Sequence, residues 1–351
     1  MPPGTITKLP KKKTMATMRG YDSVIDYLLA PQESNRTLFN RQIDLIMNEL
    51  APVMRRYVTH IKNLWGLDHI GYTDLQIDLD PEFSPKVTLD QASEYISRAI
   101  APMGQAYHDR IMRAFPERWV DFAANAGKDS GAYADCPYGT HPYVMMSWSN
   151  TLPAIYTLVH ELGHTGQMSI ANEHHSILAN EPSTYIVEGP STFHELLLTH
   201  SLIETADSKR LQRFALSRLL SDTYFHNCVT HLLEAAFQRE VYTLIDAGES
   251  FDAAKLNELK RGVLHKFWGD AVDLDDGRPE LTWMRQSHYY MGLYSYTYSA
   301  RWSCLPAPTC ACVMRANPPS PTGRSSWRWA TACRQSNPPP WPAWTSPPTP
   351  H

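Results

Sequence analysis

The last 51 residues of this 351-residue chain contain too many prolines to form the regular secondary structure expected of the preceding residues. They hold 12 of the 27 prolines, five of the ten tryptophans and four of the six cysteines, but no aspartate, glutamate or lysine. Each proline lacks a backbone N–H and restricts the residue before it, which excludes helices and central strands. We therefore expect residues 301–351 to be a disordered tail. Its composition is that of GC-rich DNA read out of frame, or of an unusual Pro-rich linker.

Charge and apolar content exclude several classes of protein. The chain has 32 Lys+Arg against 36 Asp+Glu, a formal net charge of −4, so it lacks the basic field of a nucleic-acid binder. It has no run of 18 apolar residues that could span a membrane, and its first 20 residues lack the apolar core of a secretory signal. Six unevenly placed cysteines do not form a disulfide scaffold. We expect a cytoplasmic protein without nucleic-acid or membrane partners.

Helix-starting and helix-ending residues occur through the first third of the chain. Asn35 is a candidate N-cap, and Pro52 suits the first turn of a helix that ends near Gly66. Thr88 can cap a further helix. These signals predict a series of helices joined by short loops.

Apolar periodicity predicts the remaining elements. Long helices with one buried face are expected over residues 207–247 and over Ala253–Trp268. Extended segments are expected at residues 75–79 and 143–148, and residues 1–14 are expected to be flexible. The predicted architecture is mainly α with a small β-sheet.

The strongest chemical signal is a His-Glu-x-x-His motif at His160, Glu161 and His164. Two histidines four residues apart lie on one face of a helix and can share a zinc ion, while the glutamate can reach a water beside it. The pentapeptide alone arises by chance in on the order of a few chains per hundred. Apolar neighbours on the same helix indicate that the pair is not on a solvated face, where a chance motif is more common.

A catalytic zinc site needs a third protein ligand. Glu188 is the leading candidate, because it lies 28 residues after His160, just before a predicted helix, and because two histidines with a glutamate are a known catalytic zinc set. His174 and His175 in the connecting segment and Glu195 on the predicted helix have weaker claims.

These residues resemble oligoendopeptidase F and its thimet-oligopeptidase relatives, a family of mainly helical zinc endopeptidases. The resemblance lies in His160-Glu-Leu-Gly-His164 and in residues 187–195, and it extends to four further segments: residues 19–23, 127–133, 138–143 and 288–298. It covers roughly residues 15–300 in family order and stops at Ala300. It implies a helical zinc-peptidase catalytic domain with a small β-sheet beside the motif helix.

Two features depart from the family pattern. The motif helix begins near residue 150, whereas in the family it lies far from the N-terminus, which implies that a preceding helical half is missing and that residues 15–300 are a partial domain. Relatives often carry a histidine where this chain has Gln167, but a helix points that position away from the metal-binding face.

The resemblance also implies a mechanism. One Zn²⁺ per chain, on His160, His164 and Glu188, acidifies a water molecule, and Glu161 takes its proton and passes it to the leaving amine.

Oxyanion donors are implied by resemblance to be His288 and Tyr296, with Tyr290 or Tyr289 assisting. The alternative is that the tyrosines recurring every fourth position from Tyr290 form an aromatic packing face.

Substrate contacts are implied for residues 143–148, as an edge strand that pairs with the peptide backbone from Tyr143 onward. His141 is placed at the mouth of this strand, unless it is an ordinary turn histidine. Tyr289 is expected to contact substrate as well.

Two functions remain open at this stage. The first is an active zinc endopeptidase that hydrolyses internal bonds of short oligopeptides. The second is a truncated, weakly active or inactive remnant that binds zinc without efficient catalysis. A purely structural zinc site is disfavoured, because such a site needs no general base at Glu161. The sequence carries no signal for an oligomeric state.

Overall fold

The computed structural model describes residues 4–76, 79–128, 131–275, 277–284 and 286–299. This part of the chain is mainly helical with one small sheet. The α-helices are α1 (Gly4–Met18), α2 (Val24–Leu29), α3 (Arg36–Leu45), α4 (Ala51–Trp65), α5 (Leu89–Ile100), α6 (Gln105–Met112), α7 (Leu152–His174), α8 (Glu188–Thr205), α9 (Lys209–Arg218), α10 (His231–Asp246) and α11 (Ala253–Trp268). The strands are β1 (Val120–Asp121), β2 (Ala132–Asp135) and β3 (Tyr143–Met146).

Shorter helical segments connect these elements. Two π-helical segments, Ile46–Leu50 and Leu219–Thr230, join α3 to α4 and α9 to α10. The 3₁₀ segments are Ala30–Gln32, Thr73–Gln76, Ala101–Met103, Gly269–Ala271, Pro279–Met284 and Ser287–Tyr290. Residues 301–351, for which the sequence predicts a disordered tail, lie outside the described residues.

The predicted helix starts are confirmed. The Asn35 side chain accepts a hydrogen bond from the backbone N–H of Leu38 at 2.9 Å. Thr88 and Gln91 form a reciprocal capping box at the start of α5. Helix α4 ends at Gly66, whose φ of 62° is the left-handed conformation that glycine adopts without strain.

The sheet corrects one prediction. Its strand order is β1-β3-β2, with β1 and β3 parallel and β2 and β3 antiparallel. Strand β3, which begins at Tyr143, is therefore central, and the expectation of an edge strand there is wrong. Both of its edges are paired, so β1 and β2 are the edge strands of this sheet among the described residues.

Residues 75–79 also differ from expectation. The extended segment predicted there is a 3₁₀ turn over Thr73–Gln76, and residues 77 and 78 lie outside the described residues. The turn is stabilised by Asp74, whose carboxylate accepts the backbone N–H of Gly71 at 2.7 Å. Aspartate favours such local turns, and here it overrides the apolar pattern.

The N-terminal segment expected to be flexible is helical from Gly4 onward. In α1, Leu9 is 8% exposed and Ala16 is fully buried. Lys12 donates a hydrogen bond to the hydroxyl of Tyr242 on α10 at 2.9 Å. Contacts with a distant helix thus order a segment whose own sequence is a weak helix former.

Two large apolar clusters form most of the core of the described residues. One joins α1–α4 to α10, α11 and the chain after residue 280. The other joins α5–α7, the sheet, the C-terminal half of α8 and α9. Within the described ranges, no helix combines the length and apolarity needed to cross a membrane.

Candidate metal centre

Helix α7 carries the His-Glu-x-x-His motif. It begins after Thr151 and runs without interruption through His160 and His164, so the two rings lie one turn apart, with centroids separated by 5.0 Å. His174 and His175, at the end of this helix, are exposed and lie outside the group. The helix therefore presents one histidine pair as a unit.

Helix α8 approaches this pair closely because α7 has a glycine at the contact. A Cβ atom on Gly163 would lie 2.6 Å from the Cα of Ser191 and 2.7 Å from the carbonyl oxygen of Pro190. Any side chain there would push the helices apart. Because Gly163 has no side chain, the first residue of α8, Glu188, lies against the histidine pair.

Glu188 completes a group of three possible metal ligands with His160 and His164, the metal group. Its Oε2 lies 3.4 Å from Nε2 of His160 and 3.3 Å from Nε2 of His164. Glu188 is 3% exposed, and its carboxylate accepts hydrogen bonds from the hydroxyls of Ser191 at 2.9 Å and Tyr294 at 2.5 Å. The donor atoms of the three residues all lie within 4.8 Å of one another, and two imidazoles with a carboxylate are a donor set that zinc prefers.

Glu195 orients the first histidine instead of joining the group. The Nδ1–H of His160 donates to Glu195 Oε1 at 2.5 Å, and the Thr223 hydroxyl donates to Oε2 at 2.5 Å. Burial alone would lower the pKa of His160, but Glu188 and Glu195 outweigh it and raise this pKa above its usual value. Because Nδ1 is occupied, Nε2 is the nitrogen left to face Glu188 and a cation.

Glu161 lies in the same buried environment. It is 6% exposed, and burial raises its pKa, although the neighbouring charges of His160 and His164 partly oppose this. A carboxyl group whose pKa lies above its usual value is suited to accept a proton and then release it near neutral pH.

Aromatic side chains lie next to the carboxylate of Glu188. Tyr294, whose hydroxyl donates to Glu188, stacks on the ring of His288 at 5.7 Å between centroids and 7° between planes. The Tyr298 hydroxyl lies 3.3 Å from Nε2 of His288. His288 therefore lies next to the metal group, as the resemblance implied, with Tyr294 between them.

Tyr296 is not at this position, contrary to expectation. Its hydroxyl donates to Oε1 of Gln32 at 2.7 Å, and its ring packs edge-to-face on Phe39 in the first core. Because Tyr294 and Tyr296 are two residues apart, they point to different sides of the chain. The sequence signal for Tyr294 was its place in the every-fourth-residue series, which was interpreted as packing.

Tyr289 is also in the core, which disfavours the expected contact with substrate. It is 6% exposed, and its hydroxyl accepts a hydrogen bond from Lys260 at 2.9 Å. The side chain of Tyr290 lies outside the described part of the structure.

His141 and Tyr143 contact each other away from the metal group. Their ring centroids are 4.4 Å apart, and His141 also stacks on Trp119 and has Nδ1 2.7 Å from the carbonyl oxygen of Pro142. His141 lines a cavity of about 410 Å³ that shares no lining residue with the cavity beside His160. These contacts favour the turn-histidine alternative.

The cavity beside the metal group has a volume of about 550 Å³. Its lining residues include His160, Glu195 and His226 as well as Gly131 and Met146. Gly131 immediately precedes β2, so this edge strand begins at the cavity.

The sequence profile of peptidase family M3 matches residues 5–311, a wider range than residues 15–300. The chain is 27% identical to oligopeptidase PepF of Bacillus subtilis (strain 168) over 85% of its own length and 44% of that protein. It is 29% identical to group B oligopeptidase PepB of Streptococcus agalactiae over 77% of its own length and 43% of that protein. The chain thus spans about half the length of the curated relatives it matches.

Solved structures share the fold. Oligoendopeptidase F from Enterococcus faecium superposes with a TM-score of 0.61 at 20% identity, over 89% of this chain and 48% of that one. PZ peptidase A, solved with an inhibitor, superposes with a TM-score of 0.67 at 18% identity, over 84% of this chain and 54% of that one.

Proposed function

Because this chain belongs to peptidase family M3, we propose that it is a zinc-dependent endopeptidase that hydrolyses internal bonds of short oligopeptides. The observation that carries the proposal is that His160 and His164 both direct Nε2 at the same oxygen of Glu188. The relatives named oligopeptidase support the substrate class.

The three donor residues fit a single zinc ion. Their donor atoms converge within one buried group, and Glu195 fixes the ring of His160 so that Nε2 is available. When bound, zinc supplies Lewis acidity that polarises a carbonyl group and acidifies water.

Glu161 acts as the general base. Its carboxylate takes the proton of the attacking water, and the carboxylic acid then donates this proton to the nitrogen of the leaving amine. Its burial favours the first step, because the raised pKa makes the carboxylate a better proton acceptor.

Tyr294 and His288 are the proposed oxyanion donors. Tyr294 borders Glu188 directly, and the stacked ring of His288 lies behind it. Tyr294 thus replaces Tyr296, whose hydroxyl is held by Gln32.

Strand β2 is the proposed docking edge for the peptide backbone. Its pairing with β3 occupies one side, and Gly131 at its start lines the cavity beside His160. An extended peptide can add to such a free edge by main-chain hydrogen bonds.

Metal removal tests the proposed function. We expect an internally quenched peptide of about ten residues to be cleaved at an internal bond, a chelator to abolish cleavage, and one equivalent of zinc to restore it. Cleavage that persists after complete zinc removal would contradict the proposal. One bound zinc per chain without any cleavage would instead support zinc binding without catalysis.

Two tyrosine variants test the oxyanion assignment. We expect Tyr294→Phe to lower kcat by about 10²- to 10³-fold, the usual effect of losing one oxyanion donor. Tyr296→Phe is the matched control, since it removes the same atom two residues away. It should leave kcat of the folded protein unchanged and lower the free energy of unfolding by about 1 kcal/mol, through loss of the bond to Gln32. The opposite ranking in kcat would return the role to Tyr296.

A further inference from the structure

A second group of residues that can bind a metal includes His288, whose ring stacks on Tyr294. In the described part of the chain, His231, Glu234 and His288 each offer a donor atom, and these atoms lie within 4.8 Å of one another. His231 and Glu234 are three residues apart in the first turn of α10, and His288 comes from the 3₁₀ segment Ser287–Tyr290. The group combines two imidazoles and one carboxylate, as the first group does.

The hydrogen bonds inside this group bring together atoms that can bind a cation. Nδ1 of His231 donates to Glu234 Oε2 at 2.8 Å, and the Ser295 hydroxyl donates to the same oxygen at 2.9 Å. Nε2 of His231 faces Nε2 of His226 at 3.0 Å. Because the Nδ1 proton of His231 points at Glu234, Nε2 of the neutral ring accepts the Nε2–H of His226, and a cation must displace one of these protons to bind the ring.

We propose that His231, Glu234 and His288 form a second Zn²⁺ site, and that its occupation inhibits the peptidase. Zinc binds two imidazoles and a carboxylate readily, and a cation can replace the proton between His231 and Glu234. His231 is fully buried and Glu234 is 4% exposed, so the carboxylate charge is little screened by water. Burial raises the pKa of Glu234, and Lys260, which donates to the hydroxyl of Tyr289 at 2.9 Å, is the largest of the nearby charges that oppose this.

The cavity beside the first group is lined by a residue that contacts the second. His226 lines that cavity together with His160, and His226 is the direct neighbour of His231. A zinc ion in the cavity can therefore contact His226, which is the direct neighbour of the buried His231.

Inhibition follows from the use of His288, and this part of the inference rests on the proposed function. A nitrogen of His288 that binds a metal cannot donate to an oxyanion. Excess zinc should therefore lower kcat at saturating peptide.

Metal titration tests the second site without any measurement of activity. The full chain is loaded with one equivalent of zinc and titrated with Co²⁺, whose visible absorption reports binding, and total metal is measured after gel filtration. We expect two metal ions per wild-type chain and one in His231→Gln, in Glu234→Gln and in His160→Ala. The matched control is His200→Gln, since His200 also faces a glutamate on its own helix, Glu204 at 3.3 Å, but without a third ligand. This variant should keep two.

The outcomes separate the two sites. A single ion in the wild type, or two ions in both His231→Gln and Glu234→Gln with helical circular dichroism intact, would overturn the second site. A fall from two ions to one in His160→Ala shows that the first site is lost while the second is kept. As a kinetic readout, the zinc concentration that halves cleavage should rise at least tenfold in His231→Gln, and an unchanged value would overturn the inhibitory role.

Discussion

Replacing Glu161 by glutamine is expected to lower kcat/KM for a quenched peptide by about 10²- to 10⁴-fold, with zinc content unchanged. The substitution keeps the size of the side chain but removes the group that takes the proton of the attacking water. Glu161 is 6% exposed and lies beside both histidines. The other two carboxylates of the site, those of Glu188 and Glu195, are already engaged in hydrogen bonds.

The control for this prediction is Glu173→Gln on the same helix. Glu173 is exposed and pairs with Arg110, and exposed ion pairs contribute little, so its kcat/KM should match the parent. If Glu161→Gln retained most of the parent's turnover, the proposed general base would be wrong. If it lost zinc, the residue would contribute to metal binding as well.

Gly163→Ala is expected to lower the free energy of unfolding by about 1–3 kcal/mol and to weaken zinc binding. The new Cβ would lie 2.6 Å from the backbone of Ser191, and backbone cannot move aside as a flexible side chain can. Helix α8 must shift, and Glu188 shifts with it, away from the histidine pair. Urea denaturation of the metal-free protein and zinc titration of the folded protein measure the two effects separately.

Gly262→Ala provides the matched control. Gly262 is exposed in the middle of α11, and a Cβ there meets no atom within 4 Å. This substitution should stabilise the protein by about 0.5–1 kcal/mol, because alanine loses less conformational freedom than glycine in a helix. Equal stability of Gly163→Ala and the parent would show that the α7–α8 contact does not require glycine.

Local signals in the sequence were sufficient for several helix starts and for the shared helix face of the histidine pair. Asn35 and Thr88 cap helices because their side chains accept backbone N–H groups a few residues away, which needs no distant partner. His160 and His164 share a face for the same reason, since helix geometry alone brings them together. Glu188 could be named from its spacing and the family pattern, although only the packing at Gly163 explains why it reaches them.

Features that depend on distant contacts could not be predicted. The order of three short strands places β3 in the centre, and no alternation within residues 143–148 encodes this. Among the tyrosines, Tyr294 and Tyr296 have similar sequence surroundings, and their roles are decided by Glu188 on one side and Gln32 on the other. The helix α1 likewise depends on Tyr242 and its neighbours in α10, 230 residues away in sequence.

The direct test of the metal centre is an anomalous difference map from crystals of protein loaded with one equivalent of zinc, with data on both sides of the zinc absorption edge. The strongest peak should lie about 2.0–2.2 Å from Nε2 of His160, Nε2 of His164 and an oxygen of Glu188. A strongest peak elsewhere, with these three side chains not bound to metal, would contradict the proposed centre.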